Sequence, residues 1–256
     1  LWCHNPESQQ RGRELSHHAA RCQACGSCVT ACPNACHLLD EKGIHRYQRQ
    51  TCSRCAACAR VCAFKALERI GEERSVAELM VEVRKDAPYY QGSGGGLTLS
   101  GGEPLFQADF SLALLAAAKR EGIHTCIETC GYAPWPQVER FLPLVDLFLF
   151  DLKESDPVRH LEYTGAGNEL ILENLKALDA RGAQTILRLP LIPGLNDRAE
   201  HFEAVGRLAS TQRHCREIHV MPYHPYGSAK RVQIGQPDGV PEYAQPDEAQ
   251  VEAWIE

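Results

Sequence analysis

From Leu67 onward the apolar positions switch repeatedly between helical and extended spacing. Ser75-Val-Ala-Glu78 has the form of a helix-capping box, and Val76, Leu79, Met80 and Val83 follow on one helical face. Gly94-Gly95-Gly96 leads into a short strand, Leu97-Thr98-Leu99-Ser100, followed by an Ala- and Leu-rich helix over about 109–121 that Gly122 ends. Ile123–Glu128 reads as a strand, and the strongly apolar Leu144–Leu152 as a buried one. A helix over Glu169–Arg181 stops at Gly182. A strand near Thr185–Leu191, a helix near Ala199–Ala209 and a strand near Glu217–Met221 complete the alternation, and Ala253-Trp254-Ile255-Glu256 reads as the start of an apolar helix face. Repeated strand-then-helix order implies an α/β fold with a parallel sheet covered by helices.

In such folds the chemistry sits at the C-terminal ends of the strands. The unusual polar motifs fall there: Ser100-Gly101-Gly102-Glu103-Pro104, Glu128-Thr129-Cys130-Gly131, Asp151-Leu152-Lys153, Pro193-Gly194-Leu195-Asn196-Asp197 and Met221-Pro222-Tyr223-His224. Each alone is ordinary. A Gly-Gly-Glu turn is usually only a turn, Asp and Lys two apart are usually a solvated pair, and a lone His is more often structural. Five strand ends converging on one face make a site.

The 256 residues suffice for one large α/β domain with a small insertion, and 44% hydrophobic residues fit a globular chain. A net charge of −6 argues against general nucleic-acid binding. No apolar run reaches transmembrane length and no signal pattern opens the chain, so a soluble cytoplasmic protein away from membranes is expected. The absence of an initiator Met and the interrupted helix at Glu256 suggest a chain cut at both ends.

Composition changes the picture most through its 13 Cys, eight of them in two near-identical runs. The first is Cys22-x-x-Cys25-x-x-Cys28-x-x-x-Cys32-Pro33 and the second Cys52-x-x-Cys55-x-x-Cys58-x-x-x-Cys62. Disulfides need a secreted context, and zinc ribbons do not usually carry the third and fourth Cys at these spacings. The double run matches the bacterial two-cluster ferredoxin pattern, in which three close Cys of one run and the fourth of the other hold each [4Fe–4S] cluster. Applied here, Cys22, Cys25, Cys28 and Cys62 would hold one cluster, and Cys52, Cys55, Cys58 and Cys32 the other. Three thiolates from one tight loop reach three corners of a cubane, and the fourth must come from elsewhere. Ala63 stands where Pro often follows the last Cys, which weakens a turn signal and leaves the ligands intact. Cys36 reads as a small buried bystander.

Together these motifs resemble the glycyl-radical-enzyme activases of the radical S-adenosylmethionine (SAM) superfamily, over nearly the whole chain. Leu1-Trp2-Cys3-His4-Asn5-Pro6-Glu7 is similar to the tail of the family's C-x-x-x-C-x-x-C loop, whose three Cys hold a SAM-binding [4Fe–4S] cluster. Only Cys3 of the three is present; by that spacing a Cys should stand just before Leu1 and another four positions further upstream. The resemblance implies a partial parallel (β/α)6 barrel, residues 1–15 and 71–256, with a ferredoxin-like insertion for two clusters at 16–70. It implies an oxidoreductase of anaerobic chemistry that splits SAM with one electron and uses the 5′-deoxyadenosyl radical to take a hydrogen from a glycine of a partner glycyl-radical enzyme. That partner would be pyruvate formate-lyase-like or diol or choline lyase-like. Three clusters would be present in the full-length protein, with flavodoxin or ferredoxin as electron donor. By the same resemblance Gly101, Gly102 and Glu103 would receive the SAM amino group, and Lys153 its carboxylate. Asp151, with Leu152 between them, would meet a polar group of SAM or the substrate glycine. His224 would hydrogen-bond SAM, Trp2 and His4 would line the nucleotide pocket, and Arg188 with the Pro193–Asp197 loop would lie near SAM. Packing near the site is the expectation for Cys126 and Cys130. Two other functions fit parts of the chain: a radical SAM enzyme acting on a small molecule or peptide, and a ferredoxin-type electron carrier that would leave everything beyond Cys62 unexplained.

Overall fold

The computed structural model describes residues 3–236, 241 and 243–255. The chain divides into two compact units, one of residues 3–73 and 225–236 and one of residues 74–224 and 243–255.

The first unit opens with strand β1 (Glu14–His17), helix α1 (Ser27–Ala31), strands β2 (His37–Leu39) and β3 (His45–Tyr47), helix α2 (Ala57–Val61) and strand β4 (Leu67–Ile70). It is built twice. β1 pairs antiparallel with β4, Leu15 opposite Arg69 and His17 opposite Leu67. β2 pairs antiparallel with β3, Leu39 opposite His45 and His37 opposite Tyr47. A shift of thirty residues carries α1 onto α2, β2 onto β4 and β1 onto β3 with register preserved. The backbone repeats as well. Left-handed conformations recur at Ala24 (φ 51°) and Arg54 (φ 56°), and at Ala35 and Lys65 (both 49°). Such conformations cost non-glycine residues roughly 1–3 kcal/mol each and persist where a loop must wrap something.

The second unit contains helices α3 (Val76–Lys85) and α4 (Ala87–Ser93), strand β5 (Gly96–Leu99), helix α5 (Ala108–Arg120), strand β6 (His124–Thr129), helix α6 (Trp135–Glu139), strand β7 (Leu147–Asp151), helices α7 (Pro157–Thr164) and α8 (Glu169–Ala180), strand β8 (Thr185–Leu191), helix α9 (Ala199–Thr211) and strand β9 (Cys215–Pro222). Helix α10 (Tyr226–Gln233) returns to the first unit, and α11 (Glu248–Ile255) belongs to the second. The expected capping box forms: Ser75 Oγ accepts from the Glu78 amide at 3.2 Å, and Glu78 Oε2 accepts from the Ser75 amide at 2.7 Å.

Strands β5 to β9 form one parallel sheet in sequential order. Among the described residues this gives five strands of the expected six. Strand β7 is shorter than its apolar run, because Asp146 turns away to accept from the Thr125 amide (2.8 Å) and Lys119 Nζ (2.6 Å). The core lies between sheet and helices. Ile127, Phe148, Phe150 and Leu187 project from the strands against Leu115 of α5 and Leu175 and Leu178 of α8, all at most 2% exposed. Trp254 of α11 packs beside Leu189, Leu191 and Val205. No helix among the described residues is long and apolar enough to cross a membrane.

Candidate active site

The parallel sheet ends in a row of charged side chains. The middle strands bring their polar residues to one edge because Asp151 pairs in register with Arg188, and Thr129 with Phe150. Ser100, just past β5, donates its hydroxyl to Glu128 Oε2 at 2.7 Å. Arg188 makes a close ion pair with the same Glu128 carboxylate, and its Nε lies 3.8 Å from Asp151 Oδ1. Lys153 Nζ donates to Asp151 Oδ2 at 3.1 Å. The side chains of Glu128, Asp151, Lys153 and Arg188 are only 15–28% exposed, so their mutual attraction is less screened than on an open surface. Burial works against the charged form of Lys153. The Asp151 carboxylate outweighs it, aided by Glu103, and holds the ammonium above its usual range. Asp151 Oδ1 is buried and accepts no hydrogen bond, which leaves one acceptor to spare. Alternating cations and carboxylates with a spare acceptor suit a zwitterion that carries its own ammonium and carboxylate. Residues 151, 153 and 188 are thus brought together as the motifs suggested. Leu152 is buried in the apolar layer and contributes no polar side chain.

Glu103 is placed differently from the expectation. Its Oε1 accepts from Thr129 Oγ1 (2.7 Å) and from the Leu105 amide (3.1 Å), and its Oε2 from the Cys130 amide (3.0 Å) and Cys130 Sγ (3.2 Å). A carboxylate committed to four donors braces the β5 and β6 ends. Within Gly101-Gly102-Glu103 the acceptors left for an incoming ammonium are backbone carbonyls. Burial, reinforced by Glu103, pushes the Cys130 thiol up to about 12, so it stays protonated and donates. Cys126 is buried on β6. Gly131 closes the same turn at φ +68°, and a Cβ there would run into the Phe150 ring.

The loop at Pro193–Asp197 has a mechanical role. Asn196, fully buried, donates from Nδ2 to the carbonyls of Lys153 (2.7 Å) and Pro190 (2.9 Å), while its Oδ1 accepts from the Ile192 amide (2.8 Å). Behind it the buried Glu154 accepts two bonds from Arg198, both 2.9 Å, and one from the Asp156 amide at 2.9 Å. Lys153 is therefore held from both sides. Glu154 was not singled out by sequence; Glu128 and Asn196 lie inside strand-end motifs that were, without a separate role read for either. His224 follows β9 and is half-buried. The Tyr223 amide just before it donates to the Leu191 carbonyl at 3.0 Å.

In the first unit, Cys3 is half-buried, and Trp2 lies outside the described residues. The chain after Cys3 is clasped by α10. Lys230 Nζ donates to Asn5 Oδ1 (2.8 Å) and Glu7 Oε1 (3.0 Å), and a Cβ on Gly227 would lie 2.7 Å from the Cys3 carbonyl oxygen and 3.1 Å from His4 Cα. Cys22, Cys25, Cys28 and Cys62 line one pocket, with Gly26, His45 and Phe64 among its other walls. Under the thirty-residue repeat their counterparts are Cys52, Cys55, Cys58 and Cys32. Backbone amides already face the sulfurs: Cys36 N–H to Cys32 (3.3 Å), Ala66 N–H to Cys62 (3.2 Å) and Arg54 N–H to Cys52 (3.3 Å). Four soft sulfurs around one cavity, with amide donors behind them, fit the demands of an iron–sulfur cubane. Cys36 is buried and accepts from Thr51 Oγ1 at 3.4 Å, as a packing residue does.

The radical SAM superfamily model matches residues 51–208. The isethionate sulfite-lyase activating enzyme of Oleidesulfovibrio alaskensis is 41% identical over 236 residues, covering 90% of this chain and 75% of that protein. The choline trimethylamine-lyase activating enzyme of the same organism is 38% identical over 262 residues, covering 99% and 84%. The crystal structure of a domain of the pyruvate-formate lyase-activating enzyme from Bacteroides vulgatus superposes with a TM-score of 0.52 at 27% identity, covering 63% of this chain and 91% of that one. The chain belongs to the radical SAM superfamily and, within it, to the activating enzymes of glycyl-radical enzymes. SAM and a [4Fe–4S] cluster are the cofactors that membership brings.

Proposed function

We propose that the chain activates a glycyl-radical lyase or dehydratase acting on a small hydroxylated, sulfonated or quaternary-ammonium substrate, the kinds of enzyme its relatives are named for. The SAM-binding cluster, when bound, supplies the electron that splits SAM and yields the 5′-deoxyadenosyl radical, which takes a hydrogen from the partner's glycine. Every remaining contribution is binding and orientation. Lys153 receives the SAM carboxylate, the carbonyls of Gly101 and Gly102 its ammonium, and Asp151 a further polar group. Arg188 keeps Asp151 aimed, and His4, Trp2 and His224 complete the nucleotide's surroundings. Cys3 is one thiolate of the SAM-binding cluster. The row Glu128–Arg188–Asp151–Lys153 carries this reading, because it offers a zwitterion both of its counter-charges at the sheet edge where parallel α/β folds do chemistry.

Residues 16–70 form the ferredoxin-like insertion, with 1–15 and 71–256 as the radical SAM core. Two [4Fe–4S] clusters sit in the insertion, one on Cys22, Cys25, Cys28 and Cys62 and one on Cys52, Cys55, Cys58 and Cys32. Held by these cysteines, the clusters would supply one-electron carriers between flavodoxin or ferredoxin in the cytoplasm and the SAM-binding cluster. The four-cysteine cavity supports the first ligand set, and the internal repeat supports the second.

The test is anaerobic reconstitution of the full-length protein, with iron and sulfide counted per chain and 5′-deoxyadenosine measured after dithionite. Addition of a glycyl-radical lyase should produce the doublet of a protein glycyl radical. Cys3→Ala should abolish 5′-deoxyadenosine and keep the iron of the two inserted clusters; Cys55→Ala should spare SAM binding and slow electron supply. 5′-Deoxyadenosine without any glycyl radical, but with a labelled small molecule or peptide consumed, would replace the activase reading with a diffusible substrate.

A further inference from the structure

The two halves of the insertion differ at one place where their symmetry demands sameness. In the second half Cys58 packs with Leu15 and Leu67 in a small apolar cluster. The thirty-residue repeat puts Cys28, His45 and His37 at the equivalent positions of the first half. There the ligand atoms of Cys28, His37 and His45 all lie within 4.8 Å of one another. A buried Leu pair has thus become a His pair, with His37 only 2% exposed, beside one cysteine run and not the other.

The imidazoles are in hydrogen-bond contact. His45 Nε2 is 3.5 Å from Cys28 Sγ and 3.0 Å from His37 Nδ1, and His45 Nδ1 is 3.2 Å from His17 Nε2. If His17 donates to His45 Nδ1, the His45 proton must sit on Nε2, where it faces Cys28 Sγ and His37 Nδ1 together. His17 is itself held by edge contact with Tyr47. Tyr47 is the repeat counterpart of His17. The contact of His45 with Cys28 has no counterpart in the second half, because Leu15 stands in its place.

We propose that His45, oriented by His17, donates a hydrogen bond to the Cys28 thiolate and so raises the reduction potential of the cluster on Cys22, Cys25, Cys28 and Cys62 above that of its twin. This rests on the two-cluster reading above. A reduced cluster carries one more negative charge than an oxidised one, so a donor to its sulfur stabilises the reduced form more. The symmetry break at His45 gives the two clusters a fixed order of filling. His45 is a positioning and tuning residue and supplies no ligand.

The experiment is a potentiometric titration, followed by EPR, of the full-length protein carrying Cys3→Ala, so that only the inserted clusters report. Two reduction steps are expected. His45→Leu, which copies the second half, should lower the higher step alone, cutting the reduced-to-oxidised ratio at a fixed potential about tenfold, about 59 mV for a one-electron couple. His45→Gln keeps an N–H donor and should hold that step near its original position. Unchanged steps in His45→Leu, or equal shifts of both, overturn the proposal. If His45→Leu fails to assemble its cluster, His17→Phe removes the orienting donor and should shift the same step downward; no shift there also overturns it. Iron short of two clusters in the starting protein would instead refute the cluster reading itself, before any potential is compared.

Discussion

Glu154 offers a sharp test of how the site is held. Its side chain is completely buried, and Arg198, 20% exposed, grips it with two bonds of 2.9 Å. His201, also fully buried, stands 3.6 Å away. Glu154→Gln preserves shape and removes the charge, leaving the Arg198 guanidinium without its counter-ion. Breaking one partner of a buried pair costs about 3–5 kcal/mol, and the partial exposure of Arg198 places the expectation near the low end, about 3 kcal/mol. For a chain of this size each kcal/mol is worth about 2–4 °C, so Tm should fall by roughly 6–12 °C. Circular dichroism melts of the anaerobically purified protein would read this directly. A fall under about 2 °C, well below that range, would mean the pair contributes little and the account of Lys153's support is wrong. The pH dependence gives a second readout. Burial works to raise the Glu154 pKa, but the Arg198 bonds outweigh it and hold the carboxyl below its usual 4.5. A depressed folded value means the pair's stabilisation is fully present above the unfolded value and drains away as pH falls through the folded one. Wild type should therefore lose more Tm than Glu154→Gln between neutral pH and the acid side of 4.5.

Further outcomes follow from the same geometry. Asn196→Ala removes the clamp on the Lys153 carbonyl and should weaken SAM binding about tenfold by equilibrium dialysis, about 1.4 kcal/mol, with iron content unchanged. Gly131→Ala forces a side chain onto a left-handed residue against Phe150 and should cost about 2–5 kcal/mol in chemical denaturation. Arg188→Met frees Glu128 and Asp151 from their shared cation and should raise the KM for SAM more than it lowers kcat.

The periodic features were legible because short-range physics sets them. The Ser75 capping box and the span Thr185–Leu191 follow from local pattern, and β7 fell short of its apolar run only where Asp146 found partners on β6 and α5. Helices α7 and α10 went unread, since Pro157 and Pro225 at their starts look like loop signals and their apolar faces are thin. The charged row was half legible. Asp151, Lys153 and Arg188 carried expected roles and Glu128 stood in a strand-end motif, but the bond that ties it to Arg188 two strands away lies in no local window.

Glu103 shows why a motif residue and its chemistry can part. A carboxylate next to two glycines invites an ammonium, and the sequence offers nothing to compete for it. Folding brings Thr129 and the Cys130 amide and thiol against it, from twenty-six and twenty-seven residues away. Those donors come pre-organised, with no ligand ordering to offset, so the carboxylate is committed to the turn before SAM arrives. The glycines then matter for the carbonyls they expose. On this argument Glu103→Gln should disturb the β5–β6 edge as much as SAM binding: with two donors of its own facing Cys130 N–H, the amide must lose at least one bond. Melting temperature and SAM affinity should therefore fall together. A variant that keeps its Tm and loses SAM alone would return the carboxylate to the ammonium.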